Sequence, residues 1–359
     1  MNAIFYISLL TYFMINHAIF NAPSVISRNY LQFGLSAVPI GLLLAVINIS
    51  LLLSVYNRFP KFTMIEINRY LCGKYVGGIL SILHVALLFV TGFLMFRAIL
   101  EPIIEFLMPN TPVWFLAILL ITVPLLTFLH TDSTILYMTA FFTAIAFILM
   151  LIIFWLGFKE IHGVMFQGVL VHAWKPPSLQ GITAAAFVYG GYSCLAVWNP
   201  YFAPTSLKKS LVVFISVGLV VTLCGLIIPL SVFGPWAIRN LNLVWIMTAE
   251  TFAIDLFVIE RGMFLFIPLL LLCGYMGILL HTYKGYRLLN IMFKKKMISK
   301  ISLGFVLASY VIFSWFIKEP AVLFNYFEQY LVVWVIEQNV IGILWYVLAK
   351  RKERGLLAS

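Results

Sequence analysis

Charge is what this chain has least of. Of its 359 residues only 10% are Asp, Glu, Lys or Arg, while 63% are hydrophobic. An average soluble domain carries roughly 25% charged and about 45–50% apolar residues. A soluble fold of this length needs a polar exterior that such a sequence cannot supply. The composition therefore excludes a soluble globular protein and points to a polytopic integral membrane protein. Cysteine is scarce too. Cys72, Cys194, Cys224 and Cys273 form no metal-type pair, and three of them fall in apolar runs. They read as small buried hydrophobes, which excludes a disulfide framework and leaves no metal site to expect.

The motifs of catalysis are missing as well. There is no phosphate-binding glycine loop, no HExxH, no nucleophile elbow and no pair of carboxylates on one helix face. No enzyme activity and no cofactor is expected. No stretch between the apolar runs is long enough for a soluble domain; the longest, 158–180 and 236–261, are themselves rather apolar. The second, "NLVWIMTAETFAIDLFVIERG", reads as a helix lying on the membrane or dipping into it. The first apolar segment is too long and too polar at its centre for a signal peptide.

What is present is a series of runs of about 20 apolar residues, the length that crosses the hydrocarbon as a helix. They cover 3–26, 35–56, 77–100, 113–130, 134–157, 181–202, 210–235, 262–283, 301–317 and 331–349. The expectation is an all-α integral membrane protein of about ten transmembrane helices in one domain, 1–359. The net charge of +11 sits in short clusters between the runs, the mark of a cytoplasmic membrane face and not of a nucleic-acid partner. With the N-terminus inside, 16 of the 23 Lys and Arg fall on the inner side and seven on the outer. Both termini are then cytoplasmic, with residues 350–359 as a basic tail. The "FKKKM" cluster (293–297) can serve this orientation or touch anionic lipid headgroups.

Ten spans divide into five plus five, about 3–157 and 181–349. The first span of each half is interrupted. Span one carries "INHAIFNAP", with Asn16, His17, Asn21 and Pro23. Span six carries "FVYGGYSCLAVWNP", with Gly190 and Gly191 adjacent at its centre. Interruptions at corresponding positions of two halves are the sequence mark of an inverted-repeat transporter fold with a midplane binding site. Unpaired backbone at that depth is tolerated only against protein or a wet cavity. Glycines can also simply allow close packing. In an unbroken helix, Asn16 and Asn21 project about 140° apart, so one packing partner cannot satisfy both. His17 can carry a proton or bond across helices.

Further polar residues lie inside spans. His84 is two turns into span three, and Arg97 and Glu101 sit four apart near its outer end, spaced to pair. Glu337, followed by Gln338 and Asn339, lies in span ten, about 9 Å from its outer end at 1.5 Å per residue. An intramembrane carboxylate raises a functional hypothesis by default. His84, Arg97, Glu101 and Glu337 are the candidates for coupling or gating; Glu337 can also pair with a basic neighbour such as Arg97. His281 reads as interfacial. His130 and Asp132 share a short inner turn and make a weak signal.

These stretches resemble a family: the B subunit of bacterial spore germinant receptors, the spore permease family of the amino acid–polyamine–organocation superfamily. "HAIFNAPSVI" (17–26) is similar to its first-span segment. "FPKFTMIEINRYLCGKYVGGIL" (59–80) resembles its inner loop through Pro60, Thr63, Glu66, Ile67, Gly73 and Gly77. "FRAILEPIIEFLMPNTPVW" (96–114) resembles the end of span three, and "FVYGGYSC" with "NPYF" its broken span six. The likeness covers nearly the whole chain. It departs in three places: Asn16 and His17 stand where glycines are usual, Ser193 stands where a carboxyl-bearing residue is frequent, and Glu337 has no counterpart.

The resemblance implies a germinant-sensing subunit with a transporter-like pocket for a small ligand, often an amino acid. It implies two partners, a larger membrane A-type subunit and a lipoprotein C-type subunit, in the spore inner membrane or cell membrane. The candidate ligand-binding residues are Asn16, His17, Ala18 and Asn21 from span one, and Tyr189, Gly190, Gly191, Tyr192 and Ser193 from span six. Tyr189 and Tyr192 are expected to line or lid the pocket. The alternative is a proton-coupled amino acid transporter using His17 or Glu337.

Overall fold

Each of the ten apolar runs becomes a helix or a bent pair of helices. The protein was analysed as a computed structural model that describes residues 3–357 except 21, 34, 129, 203, 242, 257–258, 294–295 and 317–319. The first half contains α1 (Ala3–Phe20), α2 (Ala22–Arg28), the single turn α3 (Tyr30–Phe33), α4 (Ala37–Arg58), α5 (Met64–Cys72), α6 (Lys74–Pro102), α7 (Val113–Thr127) and α8 (Asp132–Lys159). After α9 (Gly163–His172), the second half contains α10 (Leu179–Val188), α11 (Leu195–Trp198), α12 (Leu207–Ala237), α13 (Val244–Glu250), α14 (Met263–Phe293), α15 (Lys296–Phe316) and α16 (Pro320–Leu357).

Among the described residues, six helices are long and apolar enough to cross a bilayer alone, or eight when each bent pair counts as one span. The chain is a multi-pass membrane protein. The fourth and ninth runs form shorter apolar helices, Val113–Thr127 and Ile301–Phe316. The face on which α1 begins is called basal here, and the opposite face distal.

Both interrupted spans are bent. α1 and α2 meet at 41°, and α10 meets the segment Gly190–Tyr201 at 58°. Residues 190–194 form a 3-10 turn between α10 and α11. Two adjacent glycines favour such a change of helix type, because each lowers helix propensity by about 1 kcal/mol. Both bends lie at the centre of the bundle, where α1 packs on α8, α12, α14 and the 190–194 turn.

The long helices overrun their apolar runs. α14 continues ten residues past Tyr283, and α16 begins at Pro320, eleven residues before the expected start. Proline is suited to a first helical position, where its missing N–H has no intrahelical partner to lose. Glu337 is therefore near the middle of α16 and not close to one end of its span.

The loops hold structure as well. In "TMIE", Glu66 accepts from the Thr63 backbone N–H at 2.7 Å and starts α5, one half of a capping box. Gly73 joins α5 to α6 with φ +80°, a conformation that favours glycine. The 236–261 segment is only partly the expected membrane-surface helix. α13 is buried, and its Trp245 indole donates to the Gly225 carbonyl at 3.0 Å. Ala253–Leu256 then pairs antiparallel with Ile259–Arg261, as the β-branched and aromatic residues of "TFAIDLFVIER" favour.

Candidate functional site

His17 projects from α1 onto the broken end of α10. Its ring stacks on Phe187, centroids 4.1 Å apart, and its Nδ1 lies 2.8 Å from the Phe187 carbonyl oxygen. A carbonyl only accepts, so Nδ1 carries the proton, and in the neutral ring Nε2 is a bare acceptor. That Nε2 is buried with no hydrogen-bond partner. The site thus has an unsatisfied acceptor beside the carbonyl end of a half-helix.

The 190–194 turn faces it. A Cβ on Gly191 would lie 3.1 Å from Phe13 Cβ and 3.2 Å from Leu10 Cα, so the turn rests directly on α1. A Cβ on Gly190 would meet Trp334 Cη2 at 2.5 Å. The Ser193 hydroxyl accepts from Lys284 Nζ at 2.9 Å. Lys284 is fully buried, and its ammonium also sits 4.4 Å from the centroid of the Phe13 ring. An ammonium over an aromatic face is held by the ring quadrupole. His281, one turn before Lys284, is buried rather than interfacial: its ring lies 5.1 Å from Phe13 and 5.8 Å from His17.

The candidate ligand residues therefore divide. His17, Gly190, Gly191 and Ser193 converge on one centre. Tyr192 stands at its edge, its hydroxyl accepting from Asn48 Nδ2 at 3.1 Å. Asn16 turns to α14 instead, donating to the Cys273 carbonyl at 2.6 Å and to Tyr12 at 3.0 Å. Ala18 faces Gly225 of α12. Tyr189 also points to α12, packed on Gly218 and accepting from Thr222 at 3.4 Å. Asn21 lies outside the described residues.

Sequence reasoning placed Lys284 in an inner loop, because the apolar run ends at Tyr283. The available signal was its spacing: His281 and Lys284 are three apart and share a helix face. Asp132 was also undervalued. Its carboxylate, at the start of α8, accepts from Tyr283 at 2.6 Å, from Tyr201 at 2.7 Å and from Arg287. One buried acid thus ties α8, the end of broken span six and α14 together below Lys284. Asn199 adds a second tie, donating to the carbonyls of Phe59 and Phe62 at 2.8 Å each.

Toward the distal face a cleft reaches Ile19 and Phe20, lined also by Glu101, Glu105, Trp245 and Phe266. Arg97 is buried and forms the expected ion pair with Glu101, while its second amino group donates to the Ser314 carbonyl at 3.3 Å. His84 and Glu337, named separately from sequence, meet: Nδ1 and Oε1 are 2.9 Å apart. Glu337 does not pair with Arg97. Among the described residues, no group of three or more His, Cys, Asp or Glu could hold a metal ion.

The site is closed on its basal side and approached by a cleft on the other, within two bent helices of a membrane bundle. A family model described as spore germination protein, the spore permease family, matches residues 1–322. The chain belongs to this family. No curated protein matches it.

Proposed function

Taking that membership as premise, we propose that the chain is the germinant-sensing membrane subunit of a spore germination receptor. Its ligand is a small zwitterion, an amino acid, held where α1 meets the 190–194 turn. One observation carries this reading: a buried ammonium and a buried, unpartnered acceptor lie at the same break. Lys284 Nζ suits a carboxylate, and such charge-assisted bonds are the stronger kind. His17 Nε2, beside the carbonyl end of α10, suits an ammonium. Half-helix ends serve the same purpose in transporter midplane sites.

The ligand would enter from the distal cleft, where the exposed Glu105 favours a cationic group. The site residues are packed closed, so binding must separate α1 from the turn. A ligand that binds the opened arrangement better shifts the population toward it. The larger membrane A-type subunit and the lipoprotein C-type subunit would read that shift in the spore inner membrane or cell membrane, with the basal face cytoplasmic. The bends at the first span of each half support a five-plus-five inverted repeat.

A thermal-shift screen of the purified full-length protein against amino acids, sugars and nucleosides tests the proposal. At least one amino acid should raise the unfolding midpoint by several degrees. Stabilisation by sugars or nucleosides only, or by none of the three, contradicts it.

A further inference from the structure

Away from the break, α6 and α16 are joined by a buried polar seam. At one end the Trp345 indole donates to Asn68 Oδ1 at 2.7 Å, and Asn68 donates to Ser81 at 3.0 Å. At the other, Tyr330 bonds to Thr91 and to the Leu87 carbonyl. Between them lies the acid–base pair. Glu337 Oε1 is 2.9 Å from His84 Nδ1, and its Oε2 accepts from Gln338 Nε2 at 2.6 Å. All three side chains are buried. His84 Nε2 is buried with no hydrogen-bond partner.

We propose that His84, Glu337 and Gln338 form a proton-binding site whose occupancy holds α16, through Trp334, against the break in span six. The inference concerns the α6–α16 seam and stands whatever ligand the break accepts.

The charge balance carries the first half. A proton shared between Nδ1 and Oε1 closes their 2.9 Å contact, with Gln338 Nε2 3.2 Å from the same Nδ1. A second proton on Nε2 makes the pair neutral overall, as imidazolium with carboxylate or imidazole with carboxylic acid. When that proton leaves Nε2 for water, the Nδ1–Oε1 bond remains and one negative charge is left at membrane depth, where an unpaired charge is costly. The ionisable groups that face Glu337 are the phenols of Tyr56 on α4, Tyr192 in the turn and Tyr330 on α16. The cations on packed elements are bonded elsewhere: Arg58 to Glu353, Arg69 to the Met292 carbonyl, Arg97 to Glu101 and Lys284 to Ser193. None of these cations neutralises the anionic state. Gln338 donates to Oε2 and fixes the carboxylate toward His84.

Helix geometry carries the second half. Trp334 precedes Glu337 by three residues, so both lie on one face of α16. Its ring fills the space over Gly190 and lies 5.0 Å from Phe187 and 6.3 Å from Tyr192. The cost of that buried charge is relieved when α16 shifts to let water reach Glu337, and the shift carries Trp334 off the turn.

The test uses the full chain in lipid nanodiscs, with histidines labelled with nitrogen-15 on the ring and tryptophans fluorinated. The His84 resonances, assigned by their loss in His84→Gln or His84→Asn, should change with pH across the range in which the protein stays folded. In Glu337→Gln that pH response should be altered, because the carboxylate bonded to Nδ1 is gone. The Trp334 fluorine signal, assigned with Trp334→Phe, should move over the same pH range as the wild-type His84 signals and lose that movement in Glu337→Gln. A His84 that keeps one protonation state across the range, or titrates alike with and without Glu337, overturns the proton site. A Trp334 signal indifferent to pH overturns the link to the break.

Discussion

Gly190 and Trp334 show how little room the break leaves. With Trp334 Cη2 only 2.5 Å from where a Cβ would stand, Gly190→Ala must push the indole or the turn aside. Overpacking of this kind costs about 1–3 kcal/mol. We predict a lower thermal midpoint for Gly190→Ala, largely restored by adding Trp334→Phe; an unchanged midpoint in the single variant would contradict the packing described. The glycine pair and His17 were legible in the sequence, since both break the pattern of a greasy helix. Lys284 was not. Its charge placed it with the loop cations, although the helix runs on for nine more residues and turns it inward. Asn16 was legible as polar but not as to direction, because the rotation of α1 in the bundle turns it to face α14.

The bent helices carry their meaning through what anchors them. Broken span six is tied at its basal end by Asp132 and Asn199, whereas its 190–194 turn is held by packing and by Lys284. Asp132→Asn removes the ion pair with Arg287 while leaving an oxygen for the tyrosines. We predict that this variant opens the basal side. Cys194, buried within the turn, reports it: its alkylation by a thiol reagent, followed on the peptide by mass spectrometry, should become at least tenfold faster (about 1.4 kcal/mol of opening free energy). Equal rates in wild type and variant would show that Asp132 does not close this face. That each apolar run is helical was readable from hydropathy alone. The element lengths were not, because "PAVLFNYFEQY" continues α16 and "KGYRLLNIMF" continues α14 without long apolar stretches of their own. The strands at 253–261 were hidden for a similar reason, since a short apolar run does not reveal its period.

At the scale of the molecule, orientation rests on charge. The bias of Lys and Arg toward the basal segments predicts that both termini are cytoplasmic. A membrane-impermeant label should reach a tag placed after Ser359 only when the cytoplasmic side is exposed; labelling from the opposite side in intact cells would invert the topology. The family, its membrane class and the position of the two breaks were all legible in the sequence, because they depend on order and spacing along the chain. Which polar groups meet across the bundle depends on helix rotation, which a single sequence does not encode in any local signal. The partnership of His84 with Glu337, 253 residues apart, is the clearest case.

The central claim is that Lys284 receives a ligand carboxylate at the broken centre. Its most direct test is a calorimetric titration of wild type and Lys284→Met with the best amino acid of the screen and with that amino acid's amide. Both proteins should show comparable thermal midpoints without ligand. Wild type should bind the amino acid at least tenfold more tightly than the amide, and Lys284→Met should lose that preference. Equal discrimination by the two proteins would place the carboxylate elsewhere and contradict the account.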